Sequence, residues 1–564
     1  MIVKTRSMRW PVFAVNRFAL SRDLRGIGGV LMKKWFIFIA CLWAFQASAQ
    51  TTYPAASCSQ IAVSAAIAAE KAHPVDGDII AIPSGTCTWT GTTALSASFN
   101  NSITIQGAGA ISATSGGAST TGSDVTVIID NLGSGRPGTT ISLSIAAGKS
   151  LRVTGIALEG NASSFQASNG MLEIGGASSS VRVDHCHFYT PANTSVGLRL
   201  DGSVLGVADH NFFDAPANIL NNDIAFHNGV GWIGGRSDNA DSSWADTDHW
   251  GTSSFFYVED SHFNNGDVGD AHDGARYVLR HNTVQQSSVG NGQMFNHGVT
   301  DARGRGTRAA EVYLNNFIQP GTTGAGNPAY SLNSGTLLFW GNTVTQYKGG
   351  LQIDYYARDT NSSNYEGGYV TSPNGWGHCG STYGPSAWDQ NSNSSGYPCI
   401  DQPGRGKGDL LNGQAFPNAL NTRTGTIASP QQALSPIYVW GNTYTPAGGY
   451  GPVNLVIAST SLATNNRDYY QQFGTYAESG SFNGTTGVGQ GLASGKPSTC
   501  TAGPGGNTPG VGYWATDTNT LYVCNPTSTW TVYYTSYTYP HPLAAGGTTG
   551  TGVSPPTSLA ATVQ

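Results

Sequence analysis

Five arginines, Arg276, Arg280, Arg303, Arg305 and Arg308, fall within 33 residues, out of only fourteen that follow residue 49. Asp270, His272 and Asp273 lie just before them and His281 and His297 among them, in a chain with only 11% charged residues. A guanidinium offers a fixed fork of donors that fits a carboxylate, and an imidazole exchanges protons near neutral pH. Together they suit β-elimination on a uronic acid. In that reaction a cation neutralises the substrate carboxylate and acidifies the C5–H beside it. A base takes the proton, and the C4 oxygen leaves. Arg280, with Arg305 or Arg308, is expected to meet the carboxylate, and His297 or Tyr313 to act as base. Arg276, Arg303 and His281 are expected to line the substrate. Asp267, Asp270 and Asp273 offer oxygen ligands for Ca2+, although their spacing is not that of an EF-hand. The competing reading of the cluster is a set of solvated loop charges satisfied by nearby acids.

These residues are carried on a recurring unit, Val/Leu-x-x-Asn-x-Phe/Val. Copies begin at Val183, Val207, Val258, Leu279, Val312, Phe339 and Val439. Several successive copies lie about 20 to 35 residues apart, the range in which solenoids repeat. Each copy is too short for a helix and reads as a strand that turns at its polar position. Stacked as coils, such strands lie roughly 4.8 Å apart. The first positions then form one inward apolar ladder, and Asn282, Asn315, Asn342 and Asn442 line up at the bend, bonding the backbone of neighbouring coils. Successive residues point to opposite faces. Asp184, Ala208, Glu259, Arg280, Tyr313, Trp340 and Trp440 are therefore expected to form an outward column. Within it Glu259, Trp340 and Trp440 would bind substrate, the indoles offering flat surface for sugar rings. Alternatively the tryptophans pack beneath an insertion at 351–430. A β-sandwich also has many short strands, but it would show hairpin signals instead of one motif in one orientation.

Composition agrees with a coil. The 564 residues include 75 Gly, and Ser, Thr and Asn are abundant. A steady supply of Val, Ile, Phe, Tyr and Trp argues against disorder except near the ends. A net charge of -6 gives no basic surface for nucleic acid. Met32-Lys33-Lys34, the apolar run Trp35–Phe45 and Ala47-Ser48-Ala49 read as a secretory signal preceded by an upstream extension. No later apolar run has the length to span a bilayer. Three close cysteine pairs, Cys58 with Cys87, Cys379 with Cys399 and Cys500 with Cys524, suit disulfides in an oxidising compartment. Cys186 is left over as a buried small residue. The expected organisation is extension and signal over 1–49, coil over 50–460 with the 351–430 insertion, a disulfide-closed β module over 461–545, and a linker over 546–564. The last of these resembles the opening strand of a fibronectin type III domain. Oligomeric state is not readable from these features.

The amphipathic stretch Ser59–Ala72, placed to cap a coil, is followed by the strand and turn Gly77–Thr86. With the later units, residues 55–460 resemble the pectin-lyase-like superfamily of right-handed parallel β-helices. The resemblance implies an all-β, single-stranded solenoid with an N-terminal capping helix. It covers lyases, hydrolases, epimerases and adhesins alike, and it implies Ca2+ for many of the lyases. Val183-Asp184-His185 is similar to the W-x-D-H stretch of pectate lyases, with Arg182 at the Trp position. The R-x-P-x-x-R segment of those enzymes has no counterpart, nor does the adjacent Asp pair of polygalacturonases. Asn296-His297-Gly298 matches the latter's His-Gly only in part. The expected activity is elimination on an acidic polysaccharide. A non-catalytic glycan-binding or adhesive coil and a polygalacturonase-like hydrolase are the alternatives, the hydrolase drawing paired carboxylates from Asp270, Asp273 or Glu259.

Overall fold

A computed structural model describes residues 50–545, apart from 134–137, 162–168, 193–194, 218–220, 230–242, 245, 289–291, 299–305, 321–325, 355–400, 407–432, 448–454, 459–462, 475–479 and 505–508. The chain winds through three long sheets in rotation. Sheet A has twelve strands, from Thr52–Pro54 to Tyr469–Gln471; sheet B, from Gly85–Gly91 to Thr443–Thr445, and sheet C, from Leu95–Phe99 to Val456–Ala458, have ten each. Every neighbouring pair within them is parallel, with one coil feeding the next. The fold is a parallel β-helix.

The six-residue unit makes the corner between sheets A and B. Its third residue takes the left-handed conformation, at φ 55 in His281, 56 in Leu314 and 64 in Gly341. One such residue turns the chain sharply enough for the next side chain to point back inward. That inward residue is the asparagine. Asn315 Oδ1 accepts the Asn282 N–H at 3.0 Å, and Asn315 Nδ2 donates to the Leu279 carbonyl at 2.9 Å. Asn342 and Asn442 repeat the pattern on the next coils. The final residue of the unit enters the core on sheet B, where Phe188, Phe213 and Phe263 stack at 5.0 and 4.8 Å.

Register departs from the expected alignment at one coil. Val183 pairs with Ala208, not Val207, and Asp184 pairs with Asp209. Ala208, not Val207, therefore continues the inward ladder to Val258, and Asp209, not Ala208, precedes Glu259 in the outward column. The corner decides the register: Asn211 accepts the Cys186 N–H at 3.0 Å and so occupies the ladder position.

The ends are closed differently. Helix α1, Gln60–Ala72, is capped by the Ser59 side chain accepting from Ala62 N–H, and it buries Val63, Ala66 and Ile67 against the first coil. The Cys58–Cys87 bridge ties this cap to sheet B. Beyond the last coil, Val488–Gly491, Gly512–Ala515, Thr520–Cys524 and Trp530–Thr535 form a four-stranded sheet closed by Cys500–Cys524. The coil itself runs to Gln471, past residue 460 where the sequence pattern fades. Cys186 is a free, buried thiol that burial pushes up to about 12. The Cys379–Cys399 pairing and residues 1–49 and 546–564 lie outside the described residues. No helix among the described residues is long and apolar enough to cross a membrane.

Candidate functional site

The outward column of sheet A exists, but it is covered. Register aligns Glu259, Arg280, Tyr313, Trp340 and Trp440 on successive coils. Tyr313 stacks on Trp340 at 4.6 Å, and Trp340 on Trp440 at 5.7 Å. The C-terminal module closes over them, with Trp514 at 5.0 Å from Trp340 and 5.3 Å from Trp440. Arg280 and Glu259 are fully buried as an ion pair. The guanidinium also donates to Tyr313 Oη at 3.0 Å and to the carbonyls of Tyr537 and Thr538, both at 2.9 Å. The His541 N–H meets Glu259 Oε1 at 2.7 Å. His281 lies against the Tyr539 ring at 3.8 Å, and burial pushes its pKa down to about 4. The expected open sugar track along sheet A is therefore corrected to an interface within the chain.

That cover was signalled in the sequence. The strands carry apolar residues at consecutive positions, as in Phe255-Phe256-Tyr257-Val258 and Leu337-Leu338-Phe339-Trp340. Such strands are apolar on both faces, so the outer face needs a partner. Tyr257, Val278 and Leu338 fill that outer face and are buried.

The other arginines of the cluster that are described, Arg276 and Arg308, are also engaged. Arg276 is fully buried and donates to the carbonyls of Asp248 at 2.8 Å and Ser243 at 2.9 Å. Arg308 pairs with Asp248 Oδ1 at 2.6 Å. Arg303 and Arg305 lie outside the described residues. His297 is not a neighbour of Arg280 and Tyr313: it follows the sheet C strand Met294–Asn296, whereas they belong to sheet A.

Chemistry gathers instead on the outer side of sheet C, where the chain leaves it for sheet A. Two outward columns run together there. One contains Glu173, Arg199, Ala225, Asp270 and Phe295 on successive coils. The other begins with Asp201 beside His227 and continues through His272 and His297, whose rings follow at 5.2 and 4.5 Å. Asp270 receives both later histidines, His272 Nε2 at 2.8 Å from Oδ2 and His297 Nδ1 at 2.7 Å from Oδ1. His227 Nδ1 lies 2.6 Å from Asp273 Oδ2. Arg199 forms a two-bonded pair with Asp201 at 2.6 and 3.0 Å and keeps 19% of its side chain exposed.

Burial opposes charge on Asp270, but the two imidazoles hold it well below the usual carboxylate range. Burial also pushes His272 down to about 4. Near neutral pH the group is thus a carboxylate facing a neutral imidazole. Burial works to lower the Arg199 guanidinium, yet Asp201, and more weakly Glu173 and Asp273, hold it above its ordinary value.

The three acids expected to bind Ca2+ do not converge. Asp267 accepts the backbone N–H groups of Gly292 at 3.1 Å and Gln293 at 3.3 Å, Asp273 meets His227, and Asp270 meets His272 and His297. Asp270 alone joins a convergent set, and its companions there are imidazoles, which suit softer cations than calcium. Arg199, Asp201 and His227 were missed as site residues, and His272 was named in the cluster without a role.

No protein-family model matches the chain, and no curated protein matches it. One solved structure, ORF18 of Geobacillus virus E2, is similar at 11% identity with a TM-score of 0.29. The match covers 59% of this chain and 59% of that one, less than two thirds of its length. A likeness of that size bears on neither fold nor activity.

Proposed function

We propose that this chain is an exported, carbohydrate-active member of the pectin-lyase-like superfamily that cleaves a uronate-containing polysaccharide by β-elimination. The reaction is assigned to the outer side of sheet C, not sheet A. The observation that carries this reading is the neighbourhood of Arg199, Asp201, His227 and Asp273 on adjoining coils. A substrate carboxylate exchanges with Asp201 for the Arg199 fork, which neutralises it and acidifies C5–H. His227, oriented by Asp273, takes the C5 proton. The C5 electron pair forms the C4–C5 double bond, the C4–O bond breaks, and the departing oxygen takes a proton from water to become a hydroxyl. Coils spaced roughly 4.8 Å apart approximate the rise of a sugar chain laid along them. The two disulfides among the described residues suit an oxidising compartment.

The test is a panel of uronate polymers followed by ultraviolet absorbance of the new conjugated double bond, with a reducing-end assay on neutral polymers in parallel. Unsaturated product supports elimination. New reducing ends without unsaturation identify a hydrolase. Retention of a polymer without cleavage identifies a glycan-binding coil, a reading favoured by the internal use of Arg276, Arg280 and Arg308.

A further inference from the structure

The geometry points to a divalent transition-metal site formed by Asp270, His272 and His297, with Zn2+ as the cation it fits. The three side chains come from adjoining coils, and one ligand atom from each lies within 4.8 Å of the others. The edges of the group are short: 2.8 Å from His272 Nε2 to Asp270 Oδ2, 2.7 Å from His297 Nδ1 to Asp270 Oδ1, and 2.9 Å between the two ring nitrogens.

Protons alone satisfy this arrangement poorly. If His272 donates to Asp270, a proton on His297 Nδ1 is needed to prevent its lone pair facing Oδ1. That proton points at the carboxylate across 2.7 Å but is then crowded by the His272 N–H, because the two ring nitrogens lie only 2.9 Å apart. If His297 instead donates to His272 Nε2, the lone pair of His272 faces Asp270 Oδ2. The first placement sets two N–H groups against each other and the second sets a lone pair against a carboxylate oxygen, in a dry setting where such opposition is costly. A cation at the centre attracts all of them at once.

The donor set selects the metal class. Two imidazoles and one carboxylate are ligands of zinc and its neighbours, and three protein ligands leave a fourth position for water or substrate. Donors on a tetrahedral zinc stand about 3.3 Å apart, so the group needs to open by roughly half an ångström. The Asp270 side chain retains 12% exposure, which gives a cation an approach from the outer side of sheet C. The site does not depend on the chain being a lyase.

The full chain, stripped with a chelator and returned to micromolar Zn2+, is expected to take up one zinc by elemental analysis and to melt at a higher temperature. Co2+ in its place is expected to give the visible bands of a four-coordinate nitrogen and oxygen site. Asp270→Asn and His297→Gln are each expected to weaken uptake by more than the roughly 10- to 100-fold that loss of an outer partner costs. His210→Gln, on a different face, is expected to leave uptake unchanged. The wild-type result alone can overturn the assignment: no stoichiometric uptake by stripped chain with its circular dichroism intact. Uptake equal to wild type in both folded ligand variants would also overturn it, by placing the metal elsewhere. Polysaccharide cleavage enters none of these readouts, so this site and the proposed reaction fail separately.

Discussion

Arg280 Nη2 lies 2.6 Å from Oε2 of Glu259, one coil earlier in the same outward column of sheet A, and both side chains are fully buried. The same guanidinium holds the carbonyls of Tyr537 and Thr538. One arginine therefore joins two coils to the segment that closes over them.

Arg280→Ala removes the cation and leaves Glu259 buried without it. Breaking such a pair typically costs about 3–5 kcal/mol. The loss is expected to concentrate where the C-terminal segment docks. Limited proteolysis should cut near residues 536–545 well before the coil is attacked, and denaturant unfolding should show the loss of stability. A variant with wild-type protease resistance and unfolding midpoint would remove Arg280 from this role.

Asn315 sits mid-ladder, accepting from Asn282 and donating to the carbonyls of Leu279 and Tyr313. Leucine fills a similar volume but makes none of these bonds. Each buried backbone group left unpaired costs about 1–3 kcal/mol. Asn315→Leu is thus expected to destabilise strongly, and Asn442→Leu, at the less buried end of the ladder, to cost less. Equal unfolding free energies for the two variants would contradict a ladder that works by burial.

Glu311 supplies a pH dependence. Burial pushes its carboxyl up from 4.5 to about 7, against the lowering effect of the Gly251 N–H and Tyr534. The folded state therefore keeps a proton that the unfolded state releases. Its stabilising contribution is complete below the unfolded value and is lost as pH rises through 4.5 toward 7. The slope approaches about 1.4 kcal/mol per pH unit inside that window. Glu311→Gln keeps an acceptor for Gly251 and is expected to flatten this part of the stability profile. An unchanged slope in Glu311→Gln would show that other groups produce it.

The coil was legible because its corner has a strict chemical requirement. A left-handed residue followed by an inward asparagine leaves a visible trace, and the apolar positions on either side follow from it. The slip at Val207 arose from giving the apolar letter priority over Asn211, when the ladder bond fixes register. The site was less legible. Arg280 and Tyr313 are neighbours, as the alternation implies, yet alternation says only that they face outward from the coil. Whether water or Trp514 and Tyr534 lies beyond depends on a module some 200 residues later in the chain. The His227, His272 and His297 column was hidden for another reason: its strands are short and the intervals between them unequal, so no spacing in sequence brings those rings together.

The placement of the reaction on sheet C is tested most directly by one comparison of elimination rates. On a uronate polymer that the wild type cleaves, initial rates of double-bond formation are measured for His227→Gln and for Arg280→Lys, with folding of each checked by circular dichroism. Expected is loss of nearly all turnover in folded His227→Gln, with Arg280→Lys, which keeps a buried cation, remaining active. Full activity in His227→Gln, together with loss of activity in a folded Arg280→Lys whose C-terminal segment is still docked, would move the chemistry back to sheet A and contradict the assignment.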